Sequence, residues 1–239
     1  MMRQGPPALA FFDVDETLIT VKSMFRFLEF HFSARGLPPS AYEEAAAALR
    51  HKAAQGISRR QTNQEYYRLF SGRRVEELRE HGRDWFEREL AGGALLHPPA
   101  VAALRHHQRD GADIALVSGS FRPCVEPLAA LLGVDTILCS EPESVAGFCT
   151  GHVERPVIGP EKGRLARELM RRRGVPAARA TAYGDHASDL ELLRAVGRPV
   201  AVGGDPVLGA HVTAVGGQTL PGVPGGAGVR GSGLIARGS

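Results

Sequence analysis

Five apolar residues, Ala8-Leu9-Ala10-Phe11-Phe12, run into Asp13-Val14-Asp15-Glu16-Thr17. The apolar run reads as a buried strand, and the acids stand where that strand should stop. Two carboxylates this close repel one another and are costly to desolvate, so a strand ending in them calls for a cation between them. The segment therefore constrains both the fold and its chemistry.

From about Lys22 to Leu96 the pattern turns helical, and four helices are expected. The first spans about Ser23 to Ala34, stopped by Gly36 with Pro38-Pro39 beyond. The second starts at Ser40, whose spacing to Glu43 is that of a reciprocal cap, and continues to Gly56; the third repeats the device with Ser58 and Gln61 and ends near Gly72. The fourth covers about Val75 to Leu90 and closes at Gly92-Gly93.

From His97 the rhythm becomes helix then strand. Pro98-Pro99 opens a helix that Gly111 ends, and Ala112 to Val117 is an apolar strand of the kind covered on both faces of a parallel sheet, with Ser118-Gly119-Ser120 directly after it. A helix carrying Val125, Leu128, Leu131 and Leu132 follows, then a strand near Thr136 to Cys139 and a looser 141–158 region with room for a small hairpin. A helix from Pro160 to about Gly174, a strand from Ala178 to Tyr183, a helix with Leu190, Leu192 and Leu193, and a strand from Pro199 to Val202 complete the alternation. Nine glycines within 216–239, with few apolar anchors, predict a disordered tail.

This order argues for an α/β protein: a doubly wound parallel-sheet core, built from 1–20 and 97–215, interrupted by an all-α helical bundle at 21–96. The insertion leaves from the C-terminal end of the first strand. Open parallel sheets bind ligands at that edge, so the bundle is expected to cover the site as a lid.

Composition narrows the partners. A net charge of +3 is small and scattered, and Arg171-Arg172-Arg173 reads as the last turn of a helix, so no nucleic acid is expected. Cys124, Cys139 and Cys149 have no metal-ligand spacing and read as reduced thiols of a cytoplasmic protein. Asp13 and Asp15 interrupt the apolar N-terminal run, which argues against a secretory leader, and no segment approaches the roughly 18 apolar residues of a membrane span.

Polar residues gather at the C-terminal edge of the expected sheet: Asp13, Asp15 and Thr17 after the first strand, Ser118 and Gly119 after the second, Asp185 and Asp189 after a later one, and Lys162 at a helix start. Only three of the 29 basic residues are lysine, which singles Lys162 out further. Phosphoryl transfer fits this set. Asp13 would be the nucleophile, with Mg²⁺ held by Asp13, a backbone carbonyl at Asp15 and the side chain of Asp185. Asp15 would serve as acid and then base, Ser118 and nearby backbone N–H groups would bind phosphoryl oxygens, and Lys162 would balance charge. The same covalent step could pass the phosphoryl group to water, as a phosphatase, or to a second substrate, as a phosphotransferase or mutase. A degenerate binding protein is the non-enzyme alternative, against which the intact set of acids, serine and lysine speaks.

At these residues the chain resembles the haloacid dehalogenase superfamily, in the branch typified by phosphoserine phosphatase with a helical cap after the first motif. The resemblance rests on Asp13-Val14-Asp15-Glu16-Thr17, Ser118, Lys162 and Gly184-Asp185 through Asp189. It implies a Mg²⁺-dependent phosphatase acting on a small phosphate ester through an aspartyl-phosphate at Asp13, with Asp189 supporting the metal site and Lys162. Dehalogenases lack an acid at the position of Asp15, which sets dehalogenation aside. Where phosphoserine phosphatases carry a glutamate for the substrate ammonium, this chain has Lys22, and Ser188 stands at a position often asparagine. Lys22, Arg26, Arg59, Arg60 and His186 are candidates to read the substrate. His106-His107 is expected on the surface, and Phe25, Phe27, Trp85 and Phe86 in the core of the cap.

Overall fold

A computed structural model describes residues 8–224. In chain order the elements are β1 (Leu9–Phe12), α1 (Ser23–Ala34), α2 (Pro39–Ala54), α3 (Arg59–Arg68), α4 (Val75–Ala91), α5 (Pro98–Arg109), β2 (Asp113–Phe121), α6 (Arg122–Leu132), β3 (Thr136–Ser140), β4 (Ser144–Val145), β5 (Phe148–Cys149), α7 (Pro160–Arg173), β6 (Ala180–Gly184), α8 (Leu190–Arg194), β7 (Arg198–Val202), α9 (Pro206–Val215) and β8 (Gln218–Leu220). Six strands form one sheet in the order β3-β2-β1-β6-β7-β8, every pairing parallel, while β4 and β5 make the small hairpin.

The alternation of side chains along β1 shows how the sheet is covered. Ala10 and Phe12 join Leu104 of α5 and Val125 and Leu128 of α6 on one face. Leu9 and Phe11 join Leu169 of α7, Leu193 of α8 and Leu208 of α9 on the other. Burial on both faces explains the unbroken apolar run, and helices on both faces make the fold doubly wound.

Helices α1 to α4 leave and return through paired chain segments: Thr20 N donates to Leu95 O at 2.8 Å and His97 N to Leu18 O at 2.9 Å. The imidazole of His97 adds a contact from Nδ1 to Thr17 O at 2.8 Å. Phe27, Tyr66, Phe70 and Trp85 of the insertion belong to the same apolar cluster as Phe121, Val125 and Phe12, so the bundle extends the layer on that face of the sheet. It packs tightly there at Gly82 of α4, where a Cβ would sit 2.1 Å from Pro123 O of α6. Phe27, Trp85 and Phe86 are buried as expected, whereas Phe25 is only partly so.

Several expectations need correction. Ser58 and Gln61 cap α3 reciprocally, but the parallel Ser40–Glu43 pair caps nothing. Pro39 takes the first position of α2, where its preset φ and missing N–H cost nothing, and that moves the helix start ahead of Ser40. Ser118 lies inside β2, opposite Cys139, just before the register breaks, and β2 continues to Phe121. His107 is partly buried, with Nε2 2.9 Å from Tyr183 Oη, while His106 faces Asp110 on the surface. The tail expected from Gly216 instead supplies β8, which pairs with β7. Glycine at 217 marks close packing, since a Cβ there would meet Pro199 O at 2.6 Å. The remainder of that expectation, 225–239, lies outside the described residues.

Candidate active site

Asp13 N donates to Tyr183 O at 3.0 Å, which carries the sheet bonding one residue past β1. The chain then turns tightly, with the N–H groups of Thr17, Leu18 and Ile19 all directed at Val14 O. Glu16 takes a left-handed conformation, φ 56°, to complete the turn. Backbone strain of this kind costs roughly 1–3 kcal/mol and gathers where a loop is held for function. The turn presents Asp13 and Asp15 at the floor of a cavity of about 400 Å³.

Lys162, near the start of α7, is 4% exposed and lies between two carboxylates, 2.6 Å from Asp13 Oδ1 and 2.5 Å from Asp189 Oδ1. Burial works against the charged ammonium, but Asp13 and Asp189 outweigh it and hold the Lys162 pKa above its usual value. The second oxygen of Asp189 accepts the backbone N–H groups of Asp185 and His186, each at 3.3 Å. Asp185 itself is aimed by Thr17, whose Oγ1 donates to Asp185 Oδ1 at 3.0 Å.

Asp13, Asp185 and Asp189 bring one carboxylate oxygen each within 4.8 Å of the others. Burial, then Asp13 and Asp189, pushes the Asp185 carboxyl up to about 9. Burial and Asp189 also raise Asp13, against the pull of Lys162. One ammonium does not balance these acids. An all-oxygen set with excess negative charge suits a hard divalent cation such as Mg²⁺, so the residues fit the ion expected from the sequence.

Asp15 differs. Its Oδ1 is buried without a hydrogen-bond partner among the described residues, and desolvation raises the carboxyl to about 7, opposed by hydrogen bonds from Ser23 and helped by Asp13. Ser118 is 2% exposed, and its Oγ accepts Ser120 N at 3.1 Å. Ser120 in turn meets Ser23 at the start of α1, Oγ to Oγ 2.9 Å. The carbonyl of Gly119 accepts from Asn63 Nδ2 at 3.0 Å, Tyr67 Oη at 3.1 Å and Ser140 Oγ at 2.9 Å, which orients the peptide beside Ser118.

Of the residues considered as substrate readers, Lys22, Arg59 and His186 line the cavity. Lys22 pairs with Glu16 at 3.4 Å, and Arg59 Nη1 approaches His186 Nδ1 at 2.7 Å. Arg26 is not brought to the site: it is bound to Glu89 at 2.7 Å and to Glu29 at 3.1 Å on the outside of the bundle. Arg60 is likewise not part of the cavity wall. Arg50, Asn63, Met24 and Phe25 are wall residues that the sequence reading missed. A signal for one was present, since asparagine is a weak helix former and Asn63 stands on α3 one turn before Tyr67.

Residues 10–194 match the family described as haloacid dehalogenase-like hydrolase. The chain is 30% identical over 207 residues to the inhibition of morphological differentiation protein of Streptomyces azureus, a match covering 85% of this chain and 74% of that one. It is 37% identical over 121 residues to the phosphoserine phosphatase SerB2 of Mycobacterium tuberculosis, which is 50% of this chain and 30% of the relative's length. A solved structure of a protein with unknown function from Bordetella pertussis Tohama I superposes with a TM-score of 0.79 at 26% identity, covering 90% of this chain and 99% of that chain.

Proposed function

The chain belongs to the haloacid dehalogenase-like hydrolases, and from that premise we propose that it is a phosphatase, hydrolysing a small organic phosphate monoester through an aspartyl-phosphate at Asp13. The observation that carries this reading is the convergence of Asp13, Asp15, Ser118, Lys162 and Asp185, from four chain segments, on one cavity.

In the first half-reaction an Asp13 oxygen attacks phosphorus, the ester P–O bond breaks, and Asp15 gives its proton to the leaving alkoxide. Water then attacks the phosphorus and yields a proton to Asp15, the bond to Asp13 breaks, and inorganic phosphate leaves with both acids restored. A carboxyl raised to about 7 suits both directions of that proton traffic near neutral pH. Lys162 favours the ionised form of Asp13 against burial and Asp189, and Ser118 with the neighbouring N–H groups receives phosphoryl oxygens. Mg²⁺ held by Asp13, Asp185 and the Asp15 carbonyl would offset the repulsion between the substrate phosphate and the carboxylates. Thr17 and Asp189 act by positioning Asp185 and Lys162.

The residues of the cavity wall support one substrate class. Lys22, Arg50 and Arg59 are basic, and the acid beside them, Glu16, is paired with Lys22. Met24, Phe25, Leu49 and Ala53 supply apolar surface to the same cavity. A phosphate ester with a second anionic group and an apolar body fits this wall, whereas the ammonium of phosphoserine would meet Lys22. Three buried, unpaired cysteines support a cytoplasmic setting.

The test is hydrolysis of a generic aryl phosphate by the full chain with Mg²⁺. Activity should vanish on chelation and return with Mg²⁺, and Asp15→Asn should cost about 10²–10⁴-fold in kcat. An Asp13→Asn variant as active as the parent would sink the reading. Phosphate release that required an acceptor alcohol would replace the hydrolase with a phosphotransferase.

A further inference from the structure

A second set of metal-ligating side chains lies between α1 and α4, and none of them lines the cavity. His31 stands in the last turn of α1, while Glu77 and His81, one turn apart, share a face of α4. One donor atom from each falls within 4.8 Å of the other two.

His31 is the unusual member. It is 0% exposed and surrounded by rings, with centroids 5.3 Å from Phe70, 5.8 Å from Phe27 and 6.3 Å from Phe32. Its Nδ1 faces His81 Nδ1 at 2.8 Å, and its Nε2 has no hydrogen-bond partner among the described residues. A leucine would fill such a position without a polar atom to desolvate, and a buried nitrogen left unsatisfied is destabilising. Two imidazole nitrogens face to face can share only one proton. A cation that accepts both lone pairs resolves the arrangement better than that proton does.

We infer that His31, Glu77 and His81 bind a divalent cation of the zinc class, Zn²⁺, Co²⁺ or Ni²⁺, at a structural site that ties α1 to α4. Two neutral imidazoles and a carboxylate form a borderline-soft set, which selects these ions over Mg²⁺. The all-carboxylate cluster beside Asp13 has the opposite preference, so the two sites sort their metals by chemistry. Glu77 supplies the negative charge, with Arg35 Nε standing 3.9 Å from its Oε1 as a counterion on the outer side. Glu77 and His81 are only partly buried, which gives the ion a route from solvent, and three protein ligands leave a fourth position for water.

The position has mechanical consequences. Helix α1 begins at Ser23 and carries Met24 into the cavity wall, and α4 meets α6 at Gly82, next to His81. An ion between them holds the wall of the cavity to the element that packs on the sheet layer.

The experiment uses the full chain, stripped of transition metals and kept in saturating Mg²⁺, titrated with Co²⁺ and separately with Zn²⁺. One equivalent of Co²⁺ should develop the visible ligand-field bands of a four-coordinate site, and Zn²⁺ should raise the melting temperature. His81→Ala, at a partly exposed position, should weaken Co²⁺ binding by at least about 100-fold, since loss of outer-sphere support alone costs about 10–100-fold. Asp185→Asn should leave the bands intact, and His31→Leu should abolish the Zn²⁺ shift in melting temperature while the folded chain persists. The proposal is overturned if neither bands nor shift develop in the parent, if His81→Ala retains them, or if Asp185→Asn alone removes them.

Discussion

Arg59 of α3 and His186 beyond β6 are 127 positions apart in the chain, and Arg59 Nη1 stands 2.7 Å from His186 Nδ1. That nitrogen also accepts Ser188 N at 3.0 Å, so it carries no proton, and the arginine is the donor. Burial and the Arg59 charge both lower the His186 pKa, in keeping with a neutral ring. A second bond from Arg59 to Ser188 Oγ, 3.2 Å, fixes the guanidinium where the insertion meets the sheet edge.

The cavity wall gives Arg59 a second use if the substrate carries another anion. Arg59→Ala should then raise KM for such a substrate about tenfold, equivalent to about 1.4 kcal/mol, with little change in kcat. KM for a plain aryl phosphate should move much less. Steady-state kinetics on both esters separate the cases: an equal rise for the two would mean that Arg59 only holds the insertion in place.

Among the described residues, Lys162 is the sole ammonium between Asp13, Asp185 and Asp189, and it touches two of them. Removing one member of a buried ion pair costs about 3–5 kcal/mol, because the remaining charge is left uncompensated. Lys162→Met should therefore lower unfolding free energy by about 3 kcal/mol in the absence of Mg²⁺ and abolish turnover. Adding Asp189→Asn should restore part of that stability and none of the activity. Urea titration of the single and double variants checks both statements.

Gly82 sits inside α4, where alanine is normally worth about 1 kcal/mol more than glycine. Here the order should reverse. The added methyl would lie 2.1 Å from Pro123 O, a backbone atom that cannot rotate away, so α4 and α6 must separate. Gly82→Ala is expected to lower the urea midpoint in spite of its better helix propensity. An increase would mean that this contact is loose.

How far the sequence could be read depended on whether a residue's role was set by its own segment. Asp13, Asp15, Asp185 and Lys162 interrupt apolar patterns at strand ends or helix starts, and the parallel sheet brings those ends to one edge. Arg50, Asn63 and Phe25 enter the wall from helices, and which way a helix faces is decided by docking against distant residues. Arg26 shows how narrow the margin is: Met24 and Phe25 line the cavity, while the next residue turns away to Glu89. Local signals also compete. The Ser58–Gln61 cap forms, but the same pattern at Ser40 yields to Pro39. Glycine is ambiguous for a related reason, because Gly217 reads as disorder by composition and is needed for a close approach to Pro199.

His107, expected on the surface, gives the fold a measurable acid sensitivity. Burial, then the neighbouring His106, lowers its pKa below the ordinary 6.5, while Nε2 is bonded to Tyr183 Oη. In the unfolded chain the ring takes up a proton near 6.5, and in the folded chain it resists until lower pH. Above the unfolded value neither state is protonated, so the contribution of His107 to stability is fully present there. As pH falls through 6.5 toward the lowered folded value, the unfolded state binds the proton first and that contribution is progressively lost. His107→Gln, which keeps a hydrogen-bonding partner for Tyr183 and cannot titrate, should flatten this limb. Unfolding free energies of parent and variant between roughly pH 7 and pH 5 test it, and parallel slopes would show that His107 is not a source of the acid sensitivity.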